Sequence, residues 1–295
     1  MKIKHLLCFI ALCLFFTPGK AQQLSVMTLR NGATVYIWED KSKPDVFGMI
    51  AFKVGSVDDP EQYTGLAHYL EHVMFKGTQT IDALDWEKEK PIYEKIIAKY
   101  DERAALSDPA AREAVDKEIN DLTREAAQYA AGNEFSLLVD HMGGQGLNAS
   151  TGYDQTEYHN SFPPSQLEKW LEIYSERLID PVFRGFQTEL EAVYEEYNMY
   201  NDDRGSRMRE FIYEQAFGDH PYARPIIGLP EHLKNPQLSK LIDFYNTWYG
   251  PQNMSIILVG NIDAKEAIPM IRDKFERVPR RAEIHREKKP VRQFK

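Results

Sequence analysis

Thr64-Gly65-Leu66-Ala67-His68-Tyr69-Leu70-Glu71-His72-Val73-Met74-Phe75 is the stretch on which the reading of this chain turns. Leu66, Leu70, Val73 and Met74 recur at helical spacing, so the segment predicts a helix with one apolar side, opened by Gly65. On a helix, His68 and His72 project from one face, a turn apart. Two imidazoles so placed can reach a single metal ion. Glu71 follows His68 by three and flanks the same face, where it can touch a water on the ion without being a ligand. A pair of His and a Glu on a solvated helix would need no explanation. Here the flanks are apolar, and buried ionisable groups are rare unless paired or metal-bound.

A catalytic zinc takes three protein ligands and one water. Cysteine is excluded as third ligand and as nucleophile, because Cys8 and Cys13 both lie in the leader described below. His141, His159, His220 and His232 are each isolated in their stretches. Phe186 to Asn201 is richer: Glu189 and Glu196 are two helical turns apart and share a face with Val193, Tyr197 and Tyr200. Acids on an otherwise apolar face call for a partner, whereas Glu191 and Glu195 fall on the solvent side. Spacing leaves both Glu189 and Glu196 open as the ligand.

The chain has 295 residues. Met1 to Ala21 reads as a secretory signal peptide: Lys2, Lys4 and His5 precede the apolar run Leu6 to Phe16, which is too short to span a bilayer, and Gly19 and Ala21 suit cleavage. The remaining chain then enters an oxidising compartment with no cysteine, so it depends on a core that a chain of this length can supply. Three of the 36 Lys and Arg but none of the 45 Asp and Glu lie in the leader, so its loss takes the net charge from −9 to −12. An acidic chain without a basic patch gives no case for nucleic acid. No second apolar run has membrane length, and an exported protein, periplasmic or secreted, is expected.

Around the decisive stretch, Ser25 to Asp40 predicts a hairpin turning at Asn31-Gly32, a strong two-residue turn signal. Val46 to Val54 predicts a strand. Trp86 to Ala131 predicts a helical hairpin: Tyr93, Ile96, Ile97 and Tyr100 lie at helical spacing, Asp108-Pro109 caps a second helix, and Val115, Ile119, Leu122, Ala126 and Tyr129 form a narrow apolar seam. Gly143-Gly144 leads into a strand through Asn148-Ala149-Ser150-Thr151. Helices are predicted over Ser165 to Leu178, Phe186 to Asn201, Arg207 to Phe217, Leu238 to Tyr249 and Ala264 to Phe275, with a buried strand from Ser255 to Gly260. Residues 281–295 turn basic and read as a linker or tail.

The order His-x-x-Glu-His is the inverzincin signature. Together with Gly55-Ser56, the run Gly65 to Thr78 resembles the signature of the pitrilysin and insulin-degrading-enzyme family of zinc peptidases, its N-terminal catalytic half in the bacterial exported branch. Gly143-Gly144 leading to Asn148-Ala149-Ser150-Thr151, with Asp154, Thr156 and Tyr158, resembles the family's substrate-edge strand. Glu189 and Ala192-Val193-Tyr194-Glu195-Glu196 resemble its second signature, and His220-Pro221-Tyr222 with Ile227-Gly228 a later loop. The resemblance runs from about Val26 to Arg280. It implies Zn2+ held by His68, His72 and Glu196, Glu71 as general base, Glu189 as an acid supporting the site, and Asn148 and Ala149 pairing with an extended peptide. Two features depart from the family pattern. His72 and Glu196 are 124 residues apart, a long interval that the 86–131 hairpin accounts for as an insertion. Family members also carry a second, metal-free half that closes over the first. A homologous second half, a partner chain or a homodimer mate is therefore expected.

The expected fold is α+β, a mostly antiparallel sheet with helices packed on one face plus the helical insertion, with the domain over residues 22–280. The expected function is zinc metalloendopeptidase acting on peptides or unfolded segments. The alternatives are a non-catalytic or partner-dependent subunit that binds peptides or scaffolds a processing complex, and a metallohydrolase of another bond. Complete His68, Glu71, His72 and Glu196 count against the first, and the peptide-edge strand against the second.

Overall fold

The computed structural model describes residues 24–284 and 286. The leader expected over 1–21, and all but five residues of the tail expected over 281–295, lie outside the described residues. Six strands form one sheet: β1 (Leu24–Thr28), β2 (Thr34–Glu39), β3 (Val46–Phe52), β4 (Gln145–Thr151), β5 (Thr156–Phe162) and β6 (Met254–Gly260), in the order β1-β2-β6-β3-β5-β4. Every neighbouring pair is antiparallel except β2 with β6. The mostly antiparallel sheet matches expectation. The first turn does not: Thr28 pairs with Thr34, so the loop runs over 29–33 and is longer than a two-residue turn. Asn31 is drawn out of that turn because its side-chain amide donates to the carbonyls of Phe275 and Val278, at 2.7 and 3.1 Å.

Alternation decides which face of the sheet is covered. Val46, Ile50 and Phe52 on β3, Tyr158 and Phe162 on β5, and Ile256 and Leu258 on β6 are buried beneath helices, while the residues between them are partly exposed. Ten helices lie among the described residues. They are α1 (Leu66–Val73), α2 (Trp86–Ala105), α3 (Pro109–Ala126), α4 (Glu134–His141), α5 (Leu167–Glu176), α6 (Phe186–Asp202), α7 (Arg204–Phe217), α8 (Pro230–Leu233), α9 (Leu238–Trp248) and α10 (Ala264–Phe275). None of these is long and apolar enough to cross a membrane.

Buried Asn160 ties α5 to the sheet, its Oδ1 accepting from Trp170 Nε1 at 2.8 Å and Tyr174 OH at 2.7 Å. Gly48 pairs with Asn160 on the neighbouring strand, and its missing side chain makes room for the indole: a Cβ there would lie 2.5 Å from Trp170 Cζ2. The helices α2 and α3 form the expected hairpin, clipped by Arg103–Asp116 at 2.5 Å and Lys99–Glu118 at 2.6 Å, and Ala83 bridges to Ala130 at its base. Asp108 caps α3 by accepting from the Ala111 N–H, with Pro109 in the first turn.

Candidate metal centre

The helix that carries both His is fixed at its start by backbone rather than by a side chain of its own. Gly65 precedes α1 with φ 90°, and a Cβ there would lie 2.5 Å from the Ile227 carbonyl oxygen. The buried carboxylate of Asp59 accepts from the N–H groups of Gly65 (2.7 Å) and Ala67 (2.9 Å), meeting two of the donors that a helix start leaves open. Burial pushes the Asp59 pKa up to about 7, against the lowering effect of those two bonds and of Arg224. Leu66, Ala67, Leu70 and Val73 face the core. Tyr69 donates to the Phe186 carbonyl, which docks α1 against the first turn of α6.

That docking brings the later acids to the two imidazoles. Glu196 Oε2 lies 3.6 Å from His68 Nε2 and 3.5 Å from His72 Nε2. One ligand atom from each of the three residues falls within 4.8 Å of the others. Ligands bound tetrahedrally at about 2.0–2.1 Å stand roughly 3.4 Å apart, so these separations fit a common cation. The donor chemistry fits too. Burial, reinforced by the positive charge of His72, lowers the His68 pKa to about 4, leaving that imidazole neutral with a free lone pair. For His72, burial opposes the charge, but hydrogen bonds that the ring donates to Glu189 and Glu196 and the charge of Glu71 raise the pKa to about 9. A cation held here would compete with that proton.

Glu189 meets the other side of His72, its Oε2 lying 3.5 Å from Nδ1, while its Oε1 pairs with Lys76 Nζ at 2.5 Å. A ligating imidazole commonly points its second nitrogen at such a carboxylate, which fixes its tautomer. Glu71 Oε2 accepts from Thr151 Oγ1 at 2.6 Å. Burial raises the Glu71 pKa above the usual carboxylate value, against Thr151 and His72, which lower it.

A cleft of about 350 Å³ opens beside these groups, with Glu71, His72 and Glu189 on one side and Leu147, Asn148 and Ala149 on the other. The latter belong to β4, the last strand of the sheet, whose second edge carries no partner strand among the described residues. Of the residues singled out from sequence, His68, His72 and Glu196 thus converge, Glu71 and Glu189 flank them, and Asn148 and Ala149 line the same cleft. Sequence reasoning missed Lys76 and Thr151. Lys76 follows His72 by four and so shares its face. Thr151 alternates with Leu147 and Ala149 on one face of β4. Both signals were present in the spacing.

The family model described as Insulinase (Peptidase family M16) matches residues 34–90 and 122–229. The chain belongs to peptidase family M16. A model described as Peptidase M16 inactive domain matches residues 237–295, and the gap in the first match falls on α2 and α3. Among curated M16 relatives, the probable zinc protease PqqL of Escherichia coli is 25% identical over 270 residues, 88% of this chain and 23% of that protein. The zinc protease PqqE of Helicobacter pylori is 24% identical over 254 residues, 85% of this chain and 46% of its own. The chain therefore spans less than half of the length of either relative. Among solved structures, the first half of the periplasmic protease PqqL from Escherichia coli superposes with a TM-score of 0.69 at 24% identity, over 92% of this chain and 50% of that structure. Pitrilysin superposes with a TM-score of 0.68 at 22% identity, over 93% of this chain and 25% of its own. The M16 half-molecule architecture expected from sequence is the one found.

Proposed function

We propose that this chain is the zinc-binding catalytic domain of an exported metalloendopeptidase. The observation that carries the reading is the convergence of His68, His72 and Glu196, with Glu196 Oε2 at 3.6 and 3.5 Å from the two Nε2 atoms and all three ligand atoms within 4.8 Å of one another, beside a cleft with a free strand edge. His68, His72 and Glu196 would hold zinc, a Lewis acid that polarises carbonyls and acidifies water. Glu71 is the general base. Its raised pKa suits a group that takes a proton from the attacking water and gives it to the departing amine. Thr151 holds the Glu71 carboxylate in one orientation, and Glu189 holds His72. An extended peptide adds to the outer edge of β4 by main-chain hydrogen bonds, which accepts many sequences and favours unfolded segments.

On this reading, residues 22–280 form the catalytic domain, 86–131 is a helical insertion, 1–21 is a cleaved leader, and 281–295 is a linker or tail. A second M16 half, on the same polypeptide, a partner chain or a homodimer mate, closes over the cleft. Periplasmic or extracellular location follows from the leader and agrees with the periplasmic relative.

The test is zinc content by elemental analysis together with cleavage of a quenched peptide library, for the parent and for Glu71→Gln. Glu71→Gln should keep its zinc and lose about 10²–10⁴-fold in kcat, the usual worth of a general base. A parent that binds no zinc overturns the ligand assignment. Unchanged cleavage by Glu71→Gln overturns the role of Glu71.

A further inference from the structure

A second cavity, of about 290 Å³, lies between the α2–α3 hairpin and the chain leading into α6. Tyr93, Ile96 and Tyr100 of α2 and Ala126 of α3 wall it on one side, and Phe183 and Phe186 on the other. The rings are already set edge to face: Tyr100 and Phe186 stand 4.8 Å apart at 73°. Among the charged groups in the wall, buried Asp82 accepts from the Glu134 N–H through Oδ1 and leaves Oδ2 without a hydrogen-bond partner, whereas Glu89 and Arg184 pair with each other. Arg184 is bidentate on buried Glu89, at 2.6 and 2.8 Å, and its Nη1 donates to the carbonyls of Lys76 and Ile81 at 3.2 and 3.4 Å. An anionic guest would find no unpaired cation in this pair, and leaving a charge buried without a partner is costly. The volume sits at the lower end of small-molecule sites, about 300–1,000 Å³, and suits one fused-ring group.

The cavity also has an outlet. Lys76 and Asn133 line both it and the cleft beside the metal centre. Lys76 is the cation that pairs with Glu189, which in turn meets His72. Whatever fills the cavity therefore touches the chain of contacts that orients a ligand imidazole.

We propose that the hairpin cavity is a binding site for one bulky aromatic group without negative charge. The group is either a side chain of a peptide lying along β4, which rests on the peptidase reading, or a free aromatic molecule, which does not. Aromatic rings reward this wall because edge-to-face pairs add to the apolar area they bury.

The probe is indole, titrated calorimetrically into the full chain and into Ala126→Trp and Thr123→Trp, which fill the cavity from the α3 wall. Circular dichroism reports whether each variant is folded. The parent should bind one indole saturably, and the folded variants about tenfold or more weakly, the equivalent of about 1.4 kcal/mol. Absence of saturable binding, or unchanged affinity in a folded filled variant, overturns the proposal. Two peptides that differ only by Trp or Ala identify the source. Tighter binding of the Trp peptide, lost in the filled variants, assigns the cavity to a substrate side chain. Equal binding of the two peptides alongside indole saturation assigns it to a free molecule. Neither result depends on cleavage, so failure here and failure of the peptidase reading are separate outcomes.

Discussion

Glu189 and Glu196 differ in which side of His72 they meet. Glu196 faces Nε2 and His68, while Glu189 faces Nδ1 and is half neutralised by Lys76. Replacing Glu196 by Gln removes one of three candidate ligands. Replacing Glu189 by Gln loosens one imidazole and should lower zinc affinity by about 10–100-fold, the usual effect of disturbing a ligand's own partner. Competition with a chelating dye measures both, and a loss for Glu189→Gln as large as that for Glu196→Gln overturns the division of roles. The seven-residue spacing placed both acids on one helix face, but periodicity gives direction and not reach. Which acid lies between the two imidazoles is set by how α1 and α6 cross, with Tyr69 meeting the Phe186 carbonyl, and is written nowhere in local spacing.

Among the elements, α1 depends most on distant chain. Its start is held by Asp59, and Gly65 packs on the backbone of Ile227. Because burial raises the Asp59 pKa to about 7, the folded protein keeps a proton that the unfolded chain releases near the ordinary value of 3.8. Between those values the folded state binds more protons, so the Asp59 contribution to stability falls as pH rises from about 4 to 7 and is level above, at up to about 1.4 kcal/mol per pH unit. Urea unfolding from pH 4 to 8 should show the parent losing ground to Asp59→Asn across that window only. Parallel curves for the two proteins overturn the assignment. A second element-level test concerns α5. Gly48→Ala pushes a methyl into the Trp170 ring and should cost about 1–3 kcal/mol by overpacking, read from the urea midpoint.

Helices with long apolar periods were legible, and α10 was read to its observed ends. The short α4 was not read from sequence: eight residues with only Phe135 and Val139 buried give too little period to stand out, and its stability comes from packing. The first hairpin was legible as two strands but not as a turn, since the pull of Phe275 and Val278 on Asn31 comes from 244 residues away.

For the whole molecule, the chain covers 23% and 46% of the length of the two relatives, and the candidate centre lies beside an open cleft. On the proposed reading, a second M16 half would cover that cleft and supply donors for charge developing on the carbonyl. Each such donor is worth about 10²–10³ in kcat. The chain alone should therefore bind zinc fully yet cleave slowly. Adding a separately expressed M16 partner domain should raise kcat by about that factor. A rate indifferent to any partner domain overturns the dependence.

The strand order carries a consequence for when the fold can form. The strand β6, made from residues 254–260, lies between β2 and β3, so the two parts of the sheet meet only through it. A nascent or partly translocated chain that has not yet released this segment holds a β1–β2 hairpin and a β3–β5–β4 meander with no ladder joining them. The last strand to arrive is the central one, and contacts so far apart in sequence are slow to form. During that interval the raw edges of β2 and β3 stand open, the condition in which strands pair with the wrong neighbour. Delivery in an unfolded state, with folding completed only after release, suits a protein whose closing piece comes after everything it must join.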